Sequence, residues 1–273
     1  DDRAGAVGEG AVGEAVAADA LGGGSVRAPD SIDLVIYHAN CADGFCSAWV
    51  ANRQYPEAEF VAAQYGMDPP DVAGRHVLIV DFSYPREVLD EVSMLCEKLV
   101  VLDHHKSAQK RLEGANYALF DLKRSGAQLA WAFAEPGYDE PNLVRYVADR
   151  DLWAWQLENS EAVNAVIQMN LRRLGDRTPR EALSEWDTLE TMLRDLPSTI
   201  EQGRMILQQR DVEVASVARK AKTVGCLAFV NYTGFYQSEL GHKLCETHSV
   251  SVSWFEMRDG SRVYSLRSDG SVD

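Results

Sequence analysis

Three short apolar runs in this chain each end in side chains that bind cations or phosphates, and that pairing constrains the fold more than any other feature. Ile32-Asp33-Leu34-Val35-Ile36-Tyr37 leads into His38-Ala39-Asn40-Cys41-Ala42-Asp43-Gly44. Val77-Leu78-Ile79-Val80 leads into Asp81-Phe82-Ser83, and Leu99-Val100-Val101-Leu102 into Asp103-His104-His105-Lys106. β-Branched, mostly apolar runs of this length read as strands buried on both faces. Helix-like stretches separate them: Phe45 to Gln54, and Pro85 to Cys96 with Val88, Leu89, Val92 and Leu95 at helical spacing. The alternation predicts a parallel sheet, and open α/β sheets build their sites at the carboxyl ends of the strands. A fourth acidic cluster, Asp149-Arg150-Asp151, follows a helical stretch from Asn142. An aspartate at a strand end reads equally as a turn former or helix cap when taken alone. Four clusters converging on one crevice would repel one another unless a cation neutralised them, and imidazoles mixed with carboxylates suit Mn²⁺ or a similar first-row ion. A metal site is the expectation.

At 273 residues, with 46% hydrophobic residues, the chain has room for two domains. Its 27 Lys and Arg against 42 Asp and Glu leave a net charge of −15, so it has no global basic field to hold long nucleic acid. Long duplexes are therefore not expected as partners. No apolar run approaches the roughly 20 residues of a membrane span, and the amino terminus shows no signal-like n- and h-regions, so no membrane partner is expected. The five cysteines are scattered without a C-x-x-C pair, against a disulfide framework or zinc ribbon. A soluble, cytoplasmic protein is the expectation. Residues 1–30, rich in Ala, Gly and acidic side chains, read as a disordered tail or linker. Ser125 with Gln128 three residues on reads as a capping box, and helices are expected over Asn142 to Asp149 and Ala162 to Leu171. An amphipathic stretch from Thr199 to about Ala221 leads to a strand (Cys226 to Tyr232), a helix (Gln237 to Glu246) and a hairpin around Asp259-Gly260. No repeat of fixed period occurs, which argues against a solenoid or propeller.

The motifs resemble those of the DHH phosphoesterase superfamily. The run Asp103-His104-His105 is preceded by His38…Asp43-Gly44 and Asp81-Phe82-Ser83, and followed by Asp149-Arg150-Asp151. The resemblance covers roughly Ile32 to Asp273, in the nanoRNase or oligoribonuclease manner. It implies an α/β fold: a parallel-sheet DHH domain over 31–197, a helical linker over 198–221, and a smaller α/β DHH-associated domain over 222–273. It implies a phosphodiesterase or exonuclease-type hydrolase using two ions, usually Mn²⁺, with Mg²⁺ or Co²⁺ as substitutes. His38, Asp43, Asp81, His104 and Asp149 would be metal ligands, Asp81 bridging both ions, with Asp151 the rival of Asp149. Asp149 is preferred because Leu152-Trp153 reads as the start of packing. His105 would face the scissile phosphate and Asp103 would orient the pair of histidines. Where the common pattern has Asp-x-Asp, this chain has Cys41-Ala42-Asp43. Either the site is a carboxylate short, or Cys41 is a thiolate ligand, or water substitutes, or Cys41 is simply a small apolar loop residue. Two divalent ions about 3.5–4 Å apart can activate water and stabilise an in-line displacement at phosphorus. No Walker loop or G-x-S-x-G elbow offers a rival chemistry.

On the substrate side, Lys106 is the first candidate for a phosphate contact, ahead of Lys110 and Arg111. Ser125-Gly126 could meet a phosphate at a helix start or serve as an ordinary cap. Trp131, Trp153 and Trp155 read as core residues rather than stacking platforms. Arg258, Arg262 and Arg267 form a local basic stretch. Ser265-Leu266-Arg267-Ser268 resembles the strand of the DHH-associated domain that presents its arginine to substrate. The glycine-rich motif and histidine that follow in that family lie beyond the sequence, so an incomplete substrate domain is expected. The reading is therefore a Mn²⁺-dependent phosphodiesterase acting on short oligonucleotides or dinucleotides. A phosphomonoesterase or pyrophosphatase on the same metals, and a non-catalytic nucleotide-binding module, are the alternatives.

Overall fold

The computed structural model describes residues 29–174 and 179–271. The tail expected over 1–30 lies almost wholly outside the described residues. The chain divides into two compact units between Glu201 and Gln202.

In the first unit, strands β1 (Leu34–His38), β2 (Glu59–Ala63), β3 (His76–Val80), β4 (Lys98–Asp103) and β5 (Ala118–Phe120) form one sheet in the order β2-β1-β3-β4-β5. Every pair is parallel. The crossovers carry helices α1 (Ala42–Gln54), α2 (Arg86–Leu95) and α3 (Lys106–Arg111), followed by α4 (Gly126–Ala134), α5 (Asn142–Asp151), α6 (Ser160–Leu174) and α7 (Pro179–Met192). Both faces of the sheet are covered. Leu34, Ile36, Val77, Ile79 and Val101 pack with Leu89 and Val92 of α2, all buried. On the other face α1 lies on β1 and β3, and α4 on β3 and β4. Burial on both faces explains why the central strands are almost uninterrupted apolar runs.

β1 neighbours both β2 and β3, so the chain leaves β1 for one edge and returns on its other side. Such a reversal opens a crevice at the carboxyl ends of the strands. The register pairs Tyr37 with Val80 and Val80 with Leu102. The next residues along, His38, Asp81 and Asp103, therefore come out side by side at the rim.

The helix α8 (Leu196–Ala218) carries the division between units inside it. The sequence reading drew a linker over 198–221. Instead, Val214 is a member of the second core, with Val217 and Ala218 against it, so the end of the helix is part of that unit. Strands β6 (Lys222–Val224), β7 (Leu227–Asn231), β8 (Val250–Glu256) and β9 (Arg262–Ser268) form a mixed sheet, with helix α9 (Gln237–Cys245) between β7 and β8. β7 and β8 are parallel, and the β8–β9 hairpin turns through Gly260 at φ 82°. Ala228, Val230, Tyr232, Leu240 and Leu244 complete the small core. No described helix is long and apolar enough to cross a membrane.

Ile79 is fully buried in the central strand. Truncating it to Ala should cost about 2–5 kcal/mol of unfolding free energy in urea denaturation, and a loss below 1 kcal/mol would contradict the packing described.

Candidate metal centre

The rim of the sheet gathers His38, Cys41, Asp43, Asp81, His104, His105 and Asp151. Ligand atoms of His38, Cys41 and Asp81 lie within 4.8 Å of one another, as do those of Asp81, His104 and His105, and those of Asp43, His104 and Asp151. Asp81 and His104 each belong to two of these groups, so the three form one continuous cluster.

Asp81 is wholly buried and follows β3 with a left-handed backbone, φ 55°. Few non-glycine residues hold that conformation, and where they do the surroundings enforce it. Its amide donates to the carbonyl of Leu102, tying the turn to β4. Neither carboxylate oxygen of Asp81 has a hydrogen bond. His104 Nε2 lies 3.2 Å from one oxygen and His38 Nδ1 3.6 Å from the other, charge neighbours without hydrogen-bond alignment. Gly126 makes room for this carboxylate: a Cβ there would stand 2.5 Å from the Cβ of Asp81. Gly44 does the same for His38, whose carbonyl oxygen would lie 2.2 Å from an added Cβ.

Asp43 enters from the first turn of α1 and meets the start of α4. The amides of Gly126 and Ala127 donate to its two oxygens, where the positive end of a helix favours an anion. Ser125 caps α4 in a reciprocal box with Gln128. Of the Ser125-Gly126 pair, weighed as a phosphate contact or an ordinary cap, the Gly126 amide is thus occupied by an aspartate of the protein itself and Ser125 caps the helix.

Asp103 holds the histidine pair from behind. One of its oxygens accepts the amides of His104 and His105 and the Nδ1–H of His105 at 2.6 Å; the other accepts the Ser83 hydroxyl. This fixes the His105 ring with Nε2 directed away from Asp103, on a side chain 34% exposed.

Asp149 and Asp151 part ways. Two residues on a helix stand about 200° apart, so one of the pair must turn from the crevice. It is Asp149: its carboxylate accepts the amides of Gln156 and Leu157, and its carbonyl those of Ala154 and Trp155. Asp151 lies 3.5 Å from His104 Nε2. The expectation that favoured Asp149 rested on Trp153 packing inward, but Trp153 is 68% exposed and meets Trp155 edge to face at 5.2 Å. Trp131 is buried as expected. Lys106, Lys110 and Arg111 are exposed on α3. In the second unit, Arg267 donates to Ser238 and lies against Gly241, while Arg262 pairs with Glu256 and covers Trp254.

The electrostatics are those of acids in search of a cation. Burial, then the charges of Asp81 and Asp151, push the Asp43 carboxyl well up. Burial also raises Asp151. For Asp81 the burial penalty is outweighed by His104 and His38, which hold it below the usual carboxylate range. Burial would lower His104, but Asp81, Asp43 and Asp151 overcome it and raise the imidazole to about 9. The Asp103 hydrogen bond raises His105. Burial and the charges of Asp81 and Asp43 push the Cys41 thiol up.

Two outcomes follow. His104 is held protonated to about 9 in the fold against 6.5 ordinarily, so its stabilising contribution is complete below about pH 6.5 and lost as pH rises through about 9. In chelator-treated protein the melting temperature should fall over that interval, and less so in His104→Gln; parallel profiles would contradict the assignment. Gly126→Ala, although glycine offers no ligand atom, should weaken the binding of a divalent ion at this cluster about 10–100-fold by calorimetry, because it displaces Asp81 or the amides that hold Asp43; unchanged affinity would contradict it.

No protein-family model matches the chain. An uncharacterized protein of Acanthamoeba polyphaga mimivirus is 24% identical over 282 residues, covering 89% of this chain and 63% of that protein, so the chain spans under two thirds of its curated relative. Among solved structures, RecJ from Thermus thermophilus in complex with Mn²⁺ aligns at a TM-score of 0.49 and 15% identity, over 94% of this chain and 46% of RecJ. The pGpG-specific phosphodiesterase PggH of Vibrio cholerae aligns at a TM-score of 0.51 and 14% identity, over 87% of this chain and 84% of PggH. With its parallel sheet followed by a smaller α/β unit, the chain shares the fold of PggH, the α/β fold that its motifs lead one to expect.

Proposed function

We propose that this protein is a metal-dependent phosphodiesterase that cleaves short oligonucleotides or dinucleotides. The observation that carries the reading is the Asp81 carboxylate: fully buried, without a hydrogen bond on either oxygen, and flanked by two imidazoles. A buried anion left in that state is costly unless a cation completes it, and the surrounding donors are those that bind first-row divalent ions. The residues therefore fit a metal centre, with Asp81 shared between a position beside His38 and one beside Asp43, His104 and Asp151. Asp151 takes the role that the sequence pattern gave to Asp149. Two divalent ions, Mn²⁺ foremost, with Mg²⁺ or Co²⁺ as substitutes, would supply Lewis acidity toward a phosphoryl group and a water activated near neutral pH.

The remaining roles fall to the chain itself. Asp103 and Ser83 hold His105 in one orientation, with its Nε2 free to donate to a phosphoryl or leaving-group oxygen. Lys106, exposed next to His105 in sequence, offers a cation to a substrate phosphate. The indoles of Trp153 and Trp155, just beyond Asp151, give a nucleobase an apolar surface to stack upon. In the second unit Arg267, aligned by Ser238, is the residue proposed to bind a phosphate. The net charge of −15 disfavours long polyanions, and the dinucleotide substrate in the description of PggH agrees with a short one.

The test is hydrolysis of a labelled diribonucleotide with excess Mn²⁺. Wild-type protein should release mononucleotides, and Asp81→Ala should lower kcat/KM by about 10³-fold or more, the several kcal/mol that metal ions contribute at phosphorus. Release of inorganic phosphate alone, from monoesters or pyrophosphate, would replace the reading with the monoesterase or pyrophosphatase. Metal binding without turnover of any phosphoester would replace it with a nucleotide-binding module.

A further inference from the structure

Cys41 occupies the place in the first motif where a carboxylate would be expected, and its surroundings are unlike those of a packing cysteine. It is the N-cap of α1, with extended backbone (φ −119°, ψ 135°), and its side chain makes no capping hydrogen bond. N-caps are ordinarily Ser, Thr, Asp or Asn, because their oxygen satisfies an amide of the first turn. A thiol, a weak acceptor, is a poor replacement for that oxygen. Its neighbours are a ring nitrogen of His38 and a carboxylate oxygen of Asp81, all within 4.8 Å of one another. Independently of the cysteine, His38 Nδ1 and both oxygens of Asp81 are buried without a hydrogen bond. Three donors of three chemical types thus lie together, and neither His38 Nδ1 nor the Asp81 carboxylate has a hydrogen-bond partner in the protein. Cys46, one turn further along α1, is the contrasting case: it is fully buried and falls in none of the ligand groups found among the described residues.

The backbone holds this geometry in place. Asn40 is left-handed at φ 58° and Asp81 at φ 55°, so the chain bends sharply after β1 and again after β3. Gly44 lets α1 lie directly on His38. The second position, by contrast, contains no sulfur: Asp43, His104 and Asp151 present two carboxylates and an imidazole.

Building on the metal-centre reading above, we infer that Cys41 is a thiolate ligand and that the His38–Cys41–Asp81 position is the more selective of the two for a thiophilic ion of the Zn²⁺ class, while Asp43, His104 and Asp151, without sulfur, discriminate less between Zn²⁺ and Mn²⁺. Thiolate favours zinc over manganese, whereas carboxylate-rich sets suit manganese. On binding, the sulfur–proton bond is exchanged for a sulfur–metal bond and the proton leaves to solvent. The centre would then combine a softer and a harder position, with the Asp81 carboxylate beside both.

The test uses the full chain, stripped with chelator and titrated with Co²⁺ as a spectroscopic stand-in for zinc. A thiolate-to-cobalt charge-transfer band should rise and saturate at one equivalent. It should be absent in Cys41→Ser and retained in Cys46→Ser. Competition between Zn²⁺ and Mn²⁺ on the stripped protein should show a stronger preference for Zn²⁺ at one position than at the other, and Cys41→Asp should remove that difference; two positions of equal preference in the wild-type protein would contradict the inference. Cys41→Asp should take up Mn²⁺ at both positions and lose at least about 10–100-fold in Zn²⁺ affinity, the loss usual even for groups that merely support a ligand. Cobalt binding without the band, or a band unchanged in Cys41→Ser, would overturn the inference and leave the metal centre standing. No cobalt binding at all would overturn both. A folded Cys41→Asp keeps the test decisive if Cys41→Ser proves unstable.

Discussion

A carboxylate removed from water and given no hydrogen bond sets the terms for everything around it, and in this chain that carboxylate is Asp81. Its position follows from strand register, because Tyr37, Val80 and Leu102 lie abreast and the residues after them must emerge at one rim. Its left-handed backbone, the absence of a side chain at Gly126 and the turn held by Leu102 all serve to keep it there. The histidines on either side compensate part of its charge, and Asp81, Asp43 and Asp151 together raise His104 against the effect of its burial. Asp43 and Asp151 remain raised by burial even with His104 among them.

Much of this was legible in the chain before any coordinates. Strands buried on both faces cannot alternate polar and apolar residues, so β1, β3 and β4 stand out, and a polar cluster after each marks the crevice. The capping box at Ser125 was equally plain. What it supports was not: no local pattern says that the amides of Gly126 and Ala127 serve Asp43, a residue more than eighty positions earlier. The edge strands β2 and β5 escaped because they are short and only partly buried, so their sequences lack the uninterrupted apolar signature. α7 also went unassigned, although Leu183, Trp186 and Leu189 bury one face of it.

The choice between Asp149 and Asp151 turned on Trp153, and there the usual association of tryptophan with the core misled. Asp149 spends both oxygens and its carbonyl on the loop that follows α5, a loop in which Trp153 and Trp155 are both left-handed. A buried aspartate that organises the loop after its helix and one that faces the crevice look alike in sequence. Only the helical phase and the hydrogen-bond count separate them. The same logic distinguishes Cys41 from Cys46: both are partly or fully buried thiols in one short segment, and only one of them faces unsatisfied donors.

The most direct measurement is the anomalous scattering of crystals grown with divalent metal. The account predicts two peaks, about 3.5–4 Å apart as in other two-metal sites, on either side of the Asp81 carboxylate. Asp43, His104 and Asp151 should ligate one of them, and Asp149 should still be bonded to its loop. A centre without density at Asp81, or one in which Asp149 has left Gln156 and Leu157 to bind the ion, would contradict it.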